Sequence, residues 1–200
     1  ERAGCIPTIP VFVDSPMAVD ATAIYKKYQN DFDDESAALL ASGHTPLRTE
    51  LTTFARSVDE SKKLNSLKGS RIIIAGSGMV NGGRVLHHLM HHLPEETTTV
   101  LFVGYQAEET RGRNILSGMS EVKIFGSYVP IRAKIEEIAG LSAHGDRREL
   151  TRWLKSCSGS PRFVKITHGE EDAATSFSQA LKRDFGWNAV PAQHLETLEV

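Results

Sequence analysis

Cysteine is almost missing from this sequence: Cys5 and Cys157 are the two among 200 residues. They lie far apart, form no CxxC pair and offer no zinc-finger spacing, so a disulfide scaffold is excluded and a reducing compartment expected. Long apolar runs are missing too. Nothing approaches the roughly 20 residues that cross a bilayer, and the stretch ERAGCIPTIP has neither the basic nor the apolar region of a signal peptide. The expectation is a soluble, cytoplasmic protein with no membrane partner. Charge of one sign is also absent: 23 Lys and Arg face 25 Asp and Glu, with a net −2 over residues 1–100 and 0 over 101–200. Without a basic arm, any nucleic-acid contact must come from local placement of cations. What remains is 40% hydrophobic and 24% charged, ordinary globular composition. That excludes a disordered acidic tail and a collagenous repeat, and the length suits one good-sized core or two modest ones.

The apolar pattern alternates strand with helix. An extended run, Ile9 to Val13, ends at Asp14-Ser15-Pro16 and gives way to helical spacing of Ala21, Ile24, Tyr25, Tyr28 and Phe32. A short helix is expected over Ala37–Ala41, a weak strand over 47–54 and a helix near Val58–Leu67. The clearest unit is strand Arg71–Ala75, a glycine-rich loop at 76–83, and helix Arg84–Leu93 closed by Pro94. Strand Thr99–Gly104 and a helix near 111–117 follow. This predicts an α/β layer with a mostly parallel sheet. Beyond Glu121, Val122–Phe125 and Pro130–Ile138 read as two strands about a Gly126-Ser127 turn, with Val129, Ile131, Ala133 and Ile135 on one face. Then come helix 147–155, strand Phe163–Thr167, helix 172–185 and a strand pair near 188–199. A soft boundary at 118–130 divides the chain into segments 1–120 and 121–200.

Four features could carry chemistry. The loop Gly76-Ser77-Gly78-Met79-Val80-Asn81-Gly82-Gly83 sits between strand and helix, where backbone N–H groups can cradle an anion. It is not a dinucleotide loop, because Asn81 stands where a third glycine belongs. It is not a Walker loop either, because Arg84-Val85 replaces Lys-Ser/Thr. A phosphate fits; so does a turn needed only for close packing. His87, His88, His91 and His92 crowd the next helix at four-residue spacing, but the stripe of Leu86, Leu89 and Leu93 leaves them on the outer faces. His144 and His168 differ, since each sits where a strand hands over to a helix, the end of α/β strands at which ligands bind. Asp146 and Glu149 read as a capping pair and Glu170, Glu171 and Asp172 as first-turn carboxylates. Arg111 and Arg113 could contact phosphate or solvent equally well.

Five segments then occur in one order: Asp14-Ser15-Pro16-Met17-Ala18, the Gly76-Ser77-Gly78-Met79 loop with Gly82-Gly83-Arg84, Val103 to Glu108, Leu141-Ser142-Ala143-His144, and Thr167-His168-Gly169-Glu170. Together they resemble the β-CASP branch of the metallo-β-lactamase superfamily, RNA-processing nucleases of the ribonuclease J and cleavage-and-polyadenylation endonuclease type. The resemblance runs from about residue 6 to 190. It implies that segment 1–120 is most of a β-CASP domain and segment 121–200 the C-terminal share of a metallo-β-lactamase αββα sandwich. It implies His144 beside the scissile phosphate, assisting the leaving group, and His168 as a ligand to one of two zinc ions. Ser77, Gly78, Met79, Arg84 and Ser142 become phosphate or RNA contacts. The substrate implied is RNA, with DNA open, cut exo- or endonucleolytically by a metal-activated hydroxide. The family's HxHxDH zinc signature does not occur in the sequence. This chain is therefore expected to be part of a longer nuclease, inactive alone, and to self-associate through an uncovered lobe as a homo-oligomer. The alternative is a non-catalytic RNA-binding or assembly module. Glu109 departs from the glycine usual in relatives.

Overall fold

The computed structural model describes residues 4–141 and 144–197. Two compact units divide the chain, Glu1–Leu141 and Ser142–Val200.

In the first unit, β1 (Val11–Asp14) is the middle strand of a parallel sheet, flanked by β2 (Thr52–Phe54) and β3 (Ile72–Ala75). Val11 is in register with both Thr52 and Ile72. The chain leaves β1 into α1 (Pro16–Lys27), whose start is written locally. Ser15 is extended and accepts from the Ala18 N–H, Pro16 opens the first turn, and Lys26 and Lys27 close the last. A 3-10 turn (Gln29–Asp31) and α2 (Asp34–Ala41, capped by Asp33) lead towards β2. Ser57 and Glu60 form a reciprocal capping box on α3 (Val58–Leu64).

The core lies further along. It is built from α4 (Val85–His92), β4 (Thr99–Val103), α5 (Arg111–Leu116), the hairpin β5 (Glu121–Ile124) with β6 (Ser127–Pro130), and β7 (Lys134–Ile138). Leu86, Leu89 and Leu93 from α4 meet Phe102, Ile115, Val122, Ile124 and Val129 there, all buried. Each such side chain contributes about 1.5–3 kcal/mol of burial. The strand expected over Pro130–Ile138 begins only at Lys134, and the hairpin partner of β5 is the earlier segment Ser127–Pro130. Ile131 N–H donates to Ser120 O, and Arg132 and Ala133 both donate to Leu93 O, so the chain leaves the hairpin before joining β4 as its parallel neighbour.

The second unit holds α6 (Arg147–Leu154), β8 (Val164–Ile166), α7 (Glu171–Phe185) and β9 (Ala189–Pro191). Strands β8 and β9 pair in parallel, with Ala174, Ala180, Leu181, Trp187 and Ala189 buried. Gly186 at φ 69° ends α7, and Phe185 stacks on Trp187. Of the expected C-terminal strand pair, β9 forms; the described residues after it hold no second strand. Among the described residues no helix is long and apolar enough to cross a membrane.

Candidate functional site

The glycine-rich loop is held from both ends. Inside it, Val80 N–H donates to Ser77 O and Gly82 N–H to Ser77 Oγ. Ser77 and Val80 take positive φ, 69° and 59°, an uncommon conformation for residues with a Cβ and a strained one for Val. Ser77 and Gly78 are exposed, whereas Met79 turns inward and its Sδ accepts the Ala107 N–H at 3.3 Å. Arg111 lies across the far side, donating from Nε to Lys123 O and from Nη1 to Val80 O and Asn81 O. Arg113 instead places its guanidinium over the Tyr105 ring. A Cβ on Gly112 would run into Gln106 Oε1, and its N–H donates to Met79 O, so α5 presses directly on the loop.

Beneath the loop is a buried polar hub that local pattern does not reveal. Asp14, at the end of β1, has no exposed surface. Its Oδ1 accepts from Arg84 Nη1 at 2.7 Å; its Oδ2 accepts from Ser61 Oγ at 2.5 Å and lies 2.6 Å from His88 Nε2. Arg84 also donates to Ala55 O and Arg56 O. Burial acts to raise the Asp14 pKa, but the hydrogen bonds from Ser61, His88 and Arg84 outweigh it and hold the carboxyl below its usual range. Burial pushes His88 below the ordinary imidazole value despite the neighbouring carboxylate, and Nε2 faces Asp14 Oδ2. The ring Nδ1 lies 2.7 Å from Asn65 Oδ1. One expectation changes here: His88 is a core histidine, not an outer one. Arg84 has its guanidinium on Asp14 and keeps part of its side chain exposed. His87 packs against the Phe125 ring at a tilt, and His92 bonds Glu95 through Nδ1.

In the second unit, His144 is exposed and lies three residues before the start of α6. The expected capping pair is present: Asp146 accepts from Glu149 N–H at 2.8 Å and Glu149 accepts from Asp146 N–H at 3.0 Å. His168 is exposed between β8 and α7 at φ 62°, a left-handed conformation that histidine tolerates better than bulky residues. Ser142 lies outside the described residues. Among the described residues no three His, Cys, Asp or Glu side chains gather into a metal set. His168 is one donor where zinc takes about four, so the described residues do not by themselves build a zinc centre.

Parallel strands alternating with helices, and a strained glycine loop that leads into a buried charge hub, define an α/β protein. The Beta-Casp domain family model matches residues 1–115, and that of the Zn-dependent metallo-hydrolase RNA specificity domain matches 128–191. The chain belongs to the β-CASP family of metallo-β-lactamase-fold proteins. It is 36% identical over 176 residues to Ribonuclease TTHA0252 of Thermus thermophilus, covering 88% of this chain and 40% of the relative. It is 31% identical over 197 residues to Transcription termination factor FttA of Methanocaldococcus jannaschii, covering 96% and 31%. An RNase J-like protein of the same organism is 32% identical over 180 residues, covering 90% and 40%. The chain thus spans less than half the length of these relatives.

Proposed function

We propose that this chain is the β-CASP and C-terminal portion of an RNA-processing hydrolase that cleaves phosphodiester bonds. The observation that carries the reading is the pairing of both family matches with His144 ahead of α6 and His168 between β8 and α7. In this reading His144 gives a proton to the leaving oxygen as its bond to phosphorus breaks, sparing that oxygen a full negative charge. His168 is a metal donor, and the other donors of a two-zinc centre come from segments that relatives of greater length contain. Ser77, Gly78 and Met79 contact the RNA backbone, and Ser142 joins them. Arg84 sets the end of that loop through Asp14 and contacts RNA only by its exposed edge. The functional division falls between 1–120, which grips RNA, and 121–200, which carries the histidines.

The alternative is an RNA-binding or assembly module without catalysis. One experiment separates the two: zinc content and RNA cleavage of a protein of the relatives' length, of its His168→Ala variant, and of the 200-residue chain. The hydrolase reading expects about two zinc ions per chain, as two-metal hydrolases carry, with cleavage lost in the variant and in the short chain. A metal-free, inactive long protein that still binds RNA makes the module reading correct. Substituting a DNA strand of the same sequence decides between RNA and DNA.

A further inference from the structure

Helix α6 segregates its side chains in a way its capping does not require. Arg147, Arg148, Thr151, Arg152 and Lys155 follow one another at i, i+1, i+4, i+5 and i+8 and line a single open groove on one face. Leu150 and Trp153, both exposed, stand on the opposite side. Residues 142–200 carry eight basic and eight acidic side chains, so four of the eight cations fall on this one stripe. The nearest acids in sequence are already committed: Asp146 and Glu149 hold each other's backbone N–H groups in the capping box. Glu149 reaches Arg152 only at 3.9 Å. An exposed pair at that distance neutralises little, and Asp184, which feels Arg147 and Lys155, is bonded to Arg183. Lys155 ends the stripe with its ammonium over the Phe185 ring.

From this placement we infer that the α6 stripe is a track for the phosphates of a single nucleic-acid strand, running away from the His144 loop. The inference rests on the proposed function and adds a binding surface to it. Arg147 lies three residues after His144, and at 1.5 Å per residue the stripe extends about 12 Å from Arg147 to Lys155. Strand charges recur every 3.4 Å or more, so that length takes roughly two or three successive phosphates. Guanidinium groups suit the task, because each presents a planar donor fork to phosphate oxygens. A lipid surface is the competing polyanion, since a basic face opposite Leu and Trp also describes an interfacial helix. Two turns with two exposed apolar side chains offer little area to insert, and a nucleic-acid strand needs none.

The test measures binding of the 200-residue chain to a fluorescent single-stranded RNA as salt is raised from about 50 to 200 mM, the range over which phosphate contacts are lost. Three proteins are compared with it: an α6 triple variant (Arg147→Gln, Arg148→Gln, Arg152→Gln), the same positions changed to Lys, and a control triple of equal charge loss (Lys26→Gln, Lys27→Gln, Arg48→Gln). Each released contact contributes about 0.7 to the slope of log affinity against log salt. The α6 Gln variant is expected to flatten the slope by about 2, with the Lys variant and the control close to the parent. Arg147 and Arg148 lie in the first turn, where losing a cation does not weaken the helix, and Arg152 in the last, where it costs about 0.3–1 kcal/mol; circular dichroism checks that the fold is kept. Equal slopes for the parent and the α6 Gln variant overturn the track while leaving the function reading intact. Equal flattening by the control shows bulk charge and also overturns it. Absence of RNA binding by the parent chain overturns both readings. Binding to phosphatidylserine vesicles that the α6 Gln variant loses, with RNA binding unchanged, assigns the stripe to lipid instead.

Discussion

Asp14 is the residue on which the first unit's polar interior converges. It accepts from Arg84, Ser61 and His88, and these partners come from two helices and a helix-capping position far along the chain. Replacing it with Asn leaves Arg84 buried against an uncharged group. Breaking one partner of such a pair costs about 3–5 kcal/mol, so Asp14→Asn is expected to lower the urea midpoint by that equivalent; an unchanged midpoint would show the hub to be incidental. The hub also sets a pH dependence. The folded pKa of His88 lies below its unfolded value of 6.5, so its contribution is complete above about that pH and is lost as pH falls towards the folded value. Asp14, lowered from 3.8, acts in the same direction at lower pH. Unfolding free energy should therefore decline on acidification from pH 7.5 to 5.5, and His88→Gln should flatten that decline. A parent curve level across this range would contradict the argument.

At the scale of elements, the strand–loop–helix from residue 71 to 93 was legible because glycine and proline punctuate it and Leu86, Leu89 and Leu93 mark one helix face. The split between β6 and β7 was not. Apolar alternation continues unbroken from Val129 through Ile135, while the carbonyl of Leu93, distant in sequence, captures the amides of Arg132 and Ala133 and bends the chain. The buried state of His88 was hidden for a similar reason: its partner Asp14 lies 74 positions away. His168 was legible by its position after β8, whereas the basic stripe that starts three residues beyond His144 was masked by Asp146 and Glu149, which already explain the helix start. Gly112 tests how α5 positions the loop. A Cβ there meets Gln106 Cδ at 2.9 Å and Met79 C at 3.3 Å, so the helix must withdraw. Gly112→Ala should cost about 1–3 kcal/mol, the range for overpacking, although the same change in an unconstrained helix stabilises it. A raised melting temperature would mean that the helix is free to move.

Among the described residues, the first unit leaves parallel sheet uncovered, which is uncommon because crossover helices normally close both faces of such sheets. In the pair β4–β7, one side buries Phe102. The other exposes Leu101, Val103 and Ile138 at 50%, 55% and 41%. On the edge strand β3, Ile72 and Ile74 are exposed at 45% and 50%. An unpaired edge carrying β-branched residues is a template for association, and contiguous apolar surface favours burial against a second chain. The salt bridge between Lys134 and Glu136 beside this face is exposed and too weak to oppose it. The 200-residue chain is therefore expected to self-associate, and light scattering over a concentration series should show mass rising above that of a 22.0 kDa monomer. Leu101→Glu with Val103→Glu should restore the monomer without unfolding it, because both side chains face outward and neither belongs to the core. A parent chain that stays monomeric at every concentration would mean that the open face is tolerated. A double variant that still associates would move the contact to the β3 edge, where Ile74→Lys is the corresponding change.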